Sequence, residues 1–333
     1  MAGRLRRSDC AGPGIHRRRS GRGFAYRDAG GERIDDETTL ERIRDLAIPP
    51  AWQEVWICSD PVGHIQATGY DAAGRKQYLY HENWQRRAAQ RKFEAMRDFA
   101  ASLPQLRRAV TRDLRLDGMP RERALACAVR LIDLGLFRVG GEEYADANGS
   151  YGVATIRREH VSRNGNVLEF DFPAKSGQRR VQSVRDAATL RAVETMRRRR
   201  GGPEDLIVFR DRDGWHDVRS DDVNVYIQGQ IGESFSAKDF RTWHGTVLAA
   251  VELATAQKPK SGSGVERAIK AAIDQVATVL GNTPAVCRSS YIDPRVFDRF
   301  RQGETISLPA RLNGSLSQKA RSKIEREVLA LIS

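Results

Sequence analysis

Little in this sequence suits thiol or metal chemistry. Its 333 residues include four cysteines, Cys10, Cys58, Cys127 and Cys287, and the closest two are 48 positions apart. That spacing excludes a CxxC zinc or redox motif and argues against a disulfide framework. None of the six histidines pair at HxxxH spacing. The one dense acidic stretch, Asp211-Arg212-Asp213-Gly214 with Asp221-Asp222 beyond it, lacks the full calcium-loop pattern. It reads as a turn followed by a helix N-terminus. Long apolar runs are missing as well: none approaches the roughly 20 residues of a membrane helix. The stretch Met1 to Arg22 is rich in arginine and glycine and has no apolar core of a secretory signal. Acidic side chains are in deficit, 43 against 56 Lys and Arg, which leaves a formal charge of +13. Most of that excess is arginine, whose fork matches phosphate bidentately, so a polyanion partner is expected, with nucleic acid leading.

A length of 333 residues with 40% hydrophobic content allows two or three domains with a sizeable core. Residues 1–22 read as a flexible basic arm able to track along phosphates. Short apolar or aromatic runs follow, separated by turn signals: Gly23–Tyr26, Val55–Cys58, His64–Tyr70 and Gln77–Tyr80. Strands at this spacing predict a small, mostly β domain over 23–83. A brief helix around Thr39–Leu46 is stopped by Pro49-Pro50. From Trp84 the period changes, and 84–101, 121–134, 186–200, 236–256 and 265–280 read as helices of a larger domain over 84–333. A strand pair interrupts them, with Leu168, Phe170 and Phe172 alternating before a turn at Lys175-Ser176-Gly177. Lys258–Gly264 reads as a hinge.

Four segments in the helical part carry chemistry. They are Arg138-Val139-Gly140-Gly141-Glu142-Glu143-Tyr144 with Ser150–Thr155 beyond; Phe170–Gly177, which puts Lys175 at a hairpin tip; Ser236–Trp243; and Leu280-Gly281-Asn282-Thr283-Pro284, with Tyr291 nine residues after Asn282. In the third segment, Ser236 and Asp239 form a helix-start signal two residues before Arg241. Each residue alone has an ordinary scaffold explanation; their order and spacing together do not.

That pattern resembles the type IB DNA topoisomerases, in particular their small bacterial and poxvirus-like branch. The resemblance extends from Ile48-Pro49-Pro50-Ala51-Trp52 to the segment around Tyr291. It includes the block Gly69-Tyr70-Asp71-Ala72-Ala73-Gly74-Arg75-Lys76-Gln77-Tyr78-Leu79-Tyr80-His81, where aromatic and basic residues interleave. It implies an α+β protein: a small antiparallel β domain plus a larger helical catalytic domain related to tyrosine recombinases, together a C-shaped clamp on duplex DNA. It further implies Tyr291 as nucleophile, Arg138 and Arg241 as clamps on the non-bridging phosphate oxygens, and Lys175 as general acid to the departing 5′-oxygen. Many relatives have histidine where this chain has Asn282, which can donate a hydrogen bond but cannot carry charge or shuttle a proton. Arg75, Lys76, Gln77, Tyr78, Tyr80, Tyr144 and Lys238 are the expected DNA contacts. No general base for Tyr291 is evident. Neither cofactor nor metal is expected, and the expected setting is a monomer on double-stranded DNA, off the membrane, in a nucleoid-associated cytoplasmic location.

Two rivals share part of the pattern. A tyrosine recombinase uses the same arginines, lysine and tyrosine, but here Lys238-x-x-Arg241 replaces its His-x-x-Arg, and Arg241 lies 50 residues before Tyr291. A basic DNA-coating protein would explain the charge and leave Lys175 and Tyr291 without work.

Overall fold

The computed structural model describes residues 4–142, 145, 149–256, 261–309 and 318–333, the side chain of Ser176 excepted. The chain forms two compact units that divide between Lys92 and Phe93.

The first unit is an antiparallel five-stranded sheet of order β2-β1-β3-β4-β5. Its strands are β1 (Ile15–Ser20), β2 (Gly23–Arg27), β3 (Gln53–Ile57), β4 (Ile65–Tyr70) and β5 (Lys76–Tyr80). Two adjacent rows of paired residues set its faces. Ile15, Ile57, Ala67 and Leu79 pair in turn across β1, β3, β4 and β5, and join Val55 and Ile43 of helix α1 (Glu37–Asp45) in the core. The neighbouring row, His16, Trp56, Thr68 and Tyr78, points the other way because successive strand residues alternate. The turn between β4 and β5 is built by Asp71, whose carboxylate accepts the Ala73 and Arg75 N–H groups. Gly74, at φ +71°, supplies the left-handed residue this turn needs.

Of the flexible arm expected over 1–22, residues 1–3 lie outside the described residues, and the described part is tied into the first unit. Ile15–Ser20 is an internal strand of the sheet. Further upstream, Ser8 donates its N–H to His64 Nδ1 and its hydroxyl to the Ile65 carbonyl, each at 2.9 Å. A single apolar residue, Ile15, anchors the strand in the core. Arg17 follows with its guanidinium on the carbonyls of Ile48, Pro49 and Trp52 and against the Phe24 ring. An arginine-rich strand therefore carries too little apolar alternation to be legible.

The second unit is mainly helical. Helix α2 (Glu82–Asp113) runs across the division between units. It is followed by α3 (Arg121–Gly135), the sheet β6-β7-β8 (Val161–Asn164, Val167–Pro173, Arg179–Val184), α4 (Ala187–Arg197) and the pair β9 (Val208–Arg210) and β10 (Trp215–Asp217). Helices α5 (Ser220–Ile231), α6 (Ala237–Thr255), α7 (Gly262–Leu280), α8 (Pro284–Ser290), α9 (Pro294–Arg301) and α10 (Gln318–Leu331) complete it. The acidic stretch is the β9–β10 turn and the start of α5, where the Asp222 carboxylate accepts the Arg219 N–H. The expected hinge is partly replaced by helix: Ser261 caps α7 by accepting the Gly264 N–H, while 258–260 lie outside the described residues. Among the described residues no helix is long and apolar enough to cross a membrane.

The end of α3 prepares the site. Gly135 is its last residue because a Cβ there would lie 2.1 Å from the Phe137 ring. The left-handed residue that ends the helix is Leu136, with φ +56°. Phe137 then packs on Phe170 and Phe172 of β7, which fixes where the chain emerges as Arg138.

Candidate active site

Arg138 begins a loop that folds back on itself. Val153 N–H donates to the Arg138 carbonyl and Ala154 N–H to that of Val139. Gly140 and Gly152 cross so closely that a Cβ on Gly152 would sit 2.4 Å from the Gly140 nitrogen. The same loop grips the β7–β8 hairpin: Tyr151 N–H donates to the Pro173 carbonyl, and the buried Ser150 hydroxyl to that of Ala174. Lys175, exposed, follows at the tip. The segments bearing Arg138 and Lys175 thus share one frame.

Arg241 sits on the second turn of α6, whose start is fixed by the Ser236–Asp239 capping box. Its side chain is 5% exposed, donating to the carbonyls of Leu136 at 3.3 Å and Leu280 at 2.7 Å. The left-handed Leu136 is what turns its carbonyl to this guanidinium. Arg138 donates to the Gly281 carbonyl and to Asn282 Oδ1, both at 3.0 Å. Burial, the neighbouring Arg241 charge and, more weakly, Arg180 push the Arg138 guanidinium down to about 10. Burial likewise lowers Arg241, against the opposing pull of the nearby Tyr291. Cations this crowded favour an anion between them.

Tyr291 closes α8, its N–H donating to the Cys287 carbonyl, and the Arg241 guanidinium lies 5.3 Å from its ring centre. Its main chain rests on α6 at Gly245, where a Cβ would come within 2.5 Å of the Tyr291 carbonyl oxygen. Thr246 holds the next turn, accepting the Asp293 N–H at 3.0 Å.

Four of the residues expected from sequence, Arg138, Arg241, Asn282 and Tyr291, therefore meet around the α7–α8 turn. Lys175 does not join them: among the described residues it has no hydrogen bond or ion pair with any of the four. Lys238 is exposed one turn before Arg241, and Tyr144 lies outside the described residues. In the first unit, Tyr78 and Tyr80 are 42% and 39% exposed, with rings stacked 6.1 Å apart and Lys76 over Tyr78. Arg75 and Gln77 are instead both bonded to Asp71 within the turn.

Arg180 also belongs to this site and was not expected from the sequence. From β8 it donates to the Val279 carbonyl at 2.7 Å, fixing the end of α7 just before Gly281 and Asn282, and burial and Arg241 lower its pKa. Its place five residues after Lys175, on the returning strand, was the one available signal. Gly245 and Thr246 were missed too, four and five residues after Arg241 on the same helix.

Comparison with known proteins yields consistent matches. Residues 81–303 match the family model described as the eukaryotic DNA topoisomerase I catalytic core, and residues 23–71 match that of the bacterial DNA topoisomerase IB N-terminal domain. DNA topoisomerase 1B of Acanthamoeba polyphaga mimivirus is 33% identical over 84% of this chain and 85% of its own length. DNA topoisomerase 1 of Schizosaccharomyces pombe is 27% identical over 49% of this chain and 19% of its own length, and that of Candidozyma auris 27% over 47% and 20%.

Proposed function

This chain belongs to the type IB DNA topoisomerases, enzymes of the isomerase class acting on DNA, and we propose that it does its work with the five residues Tyr291, Arg138, Arg241, Asn282 and Lys175. Tyr291 Oη attacks the scissile phosphorus, the bond from phosphorus to the 5′-oxygen breaks, and the 3′-phosphate stays on the tyrosine. Lys175 gives the departing 5′-oxygen its proton. The freed end rotates about the intact strand under the torsion already stored in the DNA, and the reverse attack reseals it. The phosphotyrosyl bond conserves the energy of the broken diester, so the cycle needs no ATP.

The observation carrying this reading is the crowding of two guanidinium groups, buried Arg241 against the Tyr291 ring and half-buried Arg138 beside it. Phosphoryl transfer asks mainly for positioning and charge stabilisation, and paired arginines supply both. Arg241 Nε, buried without an acceptor among the described residues, is a donor available to a non-bridging oxygen. Asn282, with its oxygen on Arg138, has its amide nitrogen only 3.4 Å from the Leu280 carbonyl, a weak contact that a phosphate oxygen can displace. Tyr78, Tyr80, Lys76 and Lys238 are exposed residues suited to the backbone of duplex DNA. One active site suffices to swivel one strand, which supports a monomer, and a DNA substrate supports a nucleoid-associated place in the cytoplasm.

Plasmid relaxation in buffer without ATP or magnesium tests the reading. Positive and negative supercoils should both relax through a ladder of topoisomers. A coating protein would leave linking number unchanged, and a recombinase would require paired specific sites.

A further inference from the structure

We propose that the β1–β2 hairpin is a second duplex-binding element, gripping phosphates about half a helical turn from those met by Tyr78 and Tyr80. The inference rests on the DNA-acting reading above.

The register supplies the geometry. The row from Tyr78 through Thr68 and Trp56 reaches His16 on β1, which pairs with Arg27 on β2, so all five residues share one sheet face. Two residues along β1, Arg18 belongs to the same face. Three or four strand spacings separate this basic edge from β5, about 14–19 Å. At 3.4 Å per base pair that is about four to six base pairs. In the middle of the face Trp56 is buried, its Nε1–H donating to the Gly12 carbonyl, so the sheet offers side chains to a ligand at its two edges.

Charge supplies the chemistry. Residues 10–27 contain five arginines and no acid. Many arginines among the described residues are held by carboxylates or carbonyls, whereas the exposed Arg18 and Arg22, like several others, have neither partner there. The hairpin turns at Gly21, φ +56°, and a Cβ at Gly21 or Gly23 would meet nothing within 4 Å, so the tip stands in open solvent. Unpaired arginines on a projecting tip fit a phosphate backbone better than an internal role. Strand β1 precedes residue 23, where the match to the N-terminal family model begins.

The test uses the full chain carrying Arg18→Ala and Arg22→Ala, with thermal unfolding checked against the parent. Affinity for a duplex extending a full turn to either side of the scissile phosphate is measured across a salt series. Removing two phosphate contacts should lower the log–log salt slope by about 1.8. Single-turnover cleavage at saturating enzyme should not change. An unchanged slope on the long duplex, or slower saturating cleavage by the folded variant, overturns the proposal. Failure of the parent chain itself to cleave would instead strike the underlying reading.

Discussion

Arg138 donates a 3.0 Å hydrogen bond to the side-chain oxygen of Asn282. With its oxygen so engaged, the amide presents its N–H₂ group on the other side, as a donor with a fixed aim. Asn282→Ala removes both the anchor for Arg138 and the donor. Cleavage should slow by about 10²–10³, comparable to losing one oxyanion-hole donor. A variant that is merely destabilised, by about 1 kcal/mol as for a lost cap, yet cleaves at full rate would remove Asn282 from the site.

Asn282→His should keep much of the activity at neutral pH, because neutral imidazole accepts on one nitrogen and donates on the other. Once protonated it can no longer accept from Arg138. The variant should therefore lose activity as pH falls through the imidazole pKa, ordinarily about 6.5 and lower beside three arginines. A pH–rate profile coinciding with that of the parent would contradict the Arg138–Asn282 pairing as a working contact.

Gly245→Ala puts a methyl within 2.5 Å of the Tyr291 carbonyl oxygen. In an unobstructed helix this change stabilises by about 1 kcal/mol. Here overpacking should reverse the sign, costing about 1–3 kcal/mol. By moving the tyrosine it should also slow cleavage more than 10-fold, since small misplacements of reacting groups are expensive. A more stable Gly245→Ala protein with full activity would show that α6 does not set the position of Tyr291.

How much of this was legible in the sequence depended on what each residue touches. Arg138, Lys175, Arg241, Asn282 and Tyr291 stand out because reactive side-chain types occur in a telling order, and α3, α4, α6 and α7 because their apolar faces repeat. Gly245 and Arg180 matter through backbone they approach from a distant segment, the Tyr291 carbonyl and the end of α7, and no local pattern names that partner. Strand β1 was hidden because Arg17, whose guanidinium binds three carbonyls, reads in the sequence as one more surface cation.

Beneath the site lies a buried ionic cluster joining four helices. Arg107 of α2 bonds Asp133 of α3 and Glu325 of α10, and Arg321 of α10 reaches both Asp133 and His244 of α6, three residues after Arg241. Coulombic attraction from Arg321 and Arg107 overcomes burial and holds the Asp133 carboxyl well below its usual range, while burial lowers His244. Both shifts mean that the unfolded chain binds more protons than the folded one. Stability should thus decline as pH falls below about 6.5 from His244, and further as pH falls below about 3.9 from Asp133. Arg321→Ala, which strips a partner from buried charges, should cost about 3–5 kcal/mol. Denaturant midpoints across pH 4–8 check this, and His244→Gln should flatten the upper part of the decline. A parent whose stability is level from pH 7 to 5 would show that His244 is not held neutral by its burial.

On a duplex whose short fragment bearing the new 5′-hydroxyl departs after cleavage and prevents resealing, Lys175→Ala should be severely slowed. Replacing the scissile 5′-oxygen with sulfur should restore it nearly to the parent rate, because a thiolate leaves without a proton. An equal defect on both substrates would make Lys175 a charge stabiliser and not an acid.

The most direct measurement traps the covalent complex on that same duplex, digests it, and locates the nucleotide-bearing residue by peptide mass. The 3′-phosphate should be found on Tyr291, and Tyr291→Phe should form no adduct while binding DNA nearly as well as the parent, since affinity rests on many phosphate contacts. An adduct on another residue, or one persisting at parental yield in Tyr291→Phe, would contradict the account at its centre.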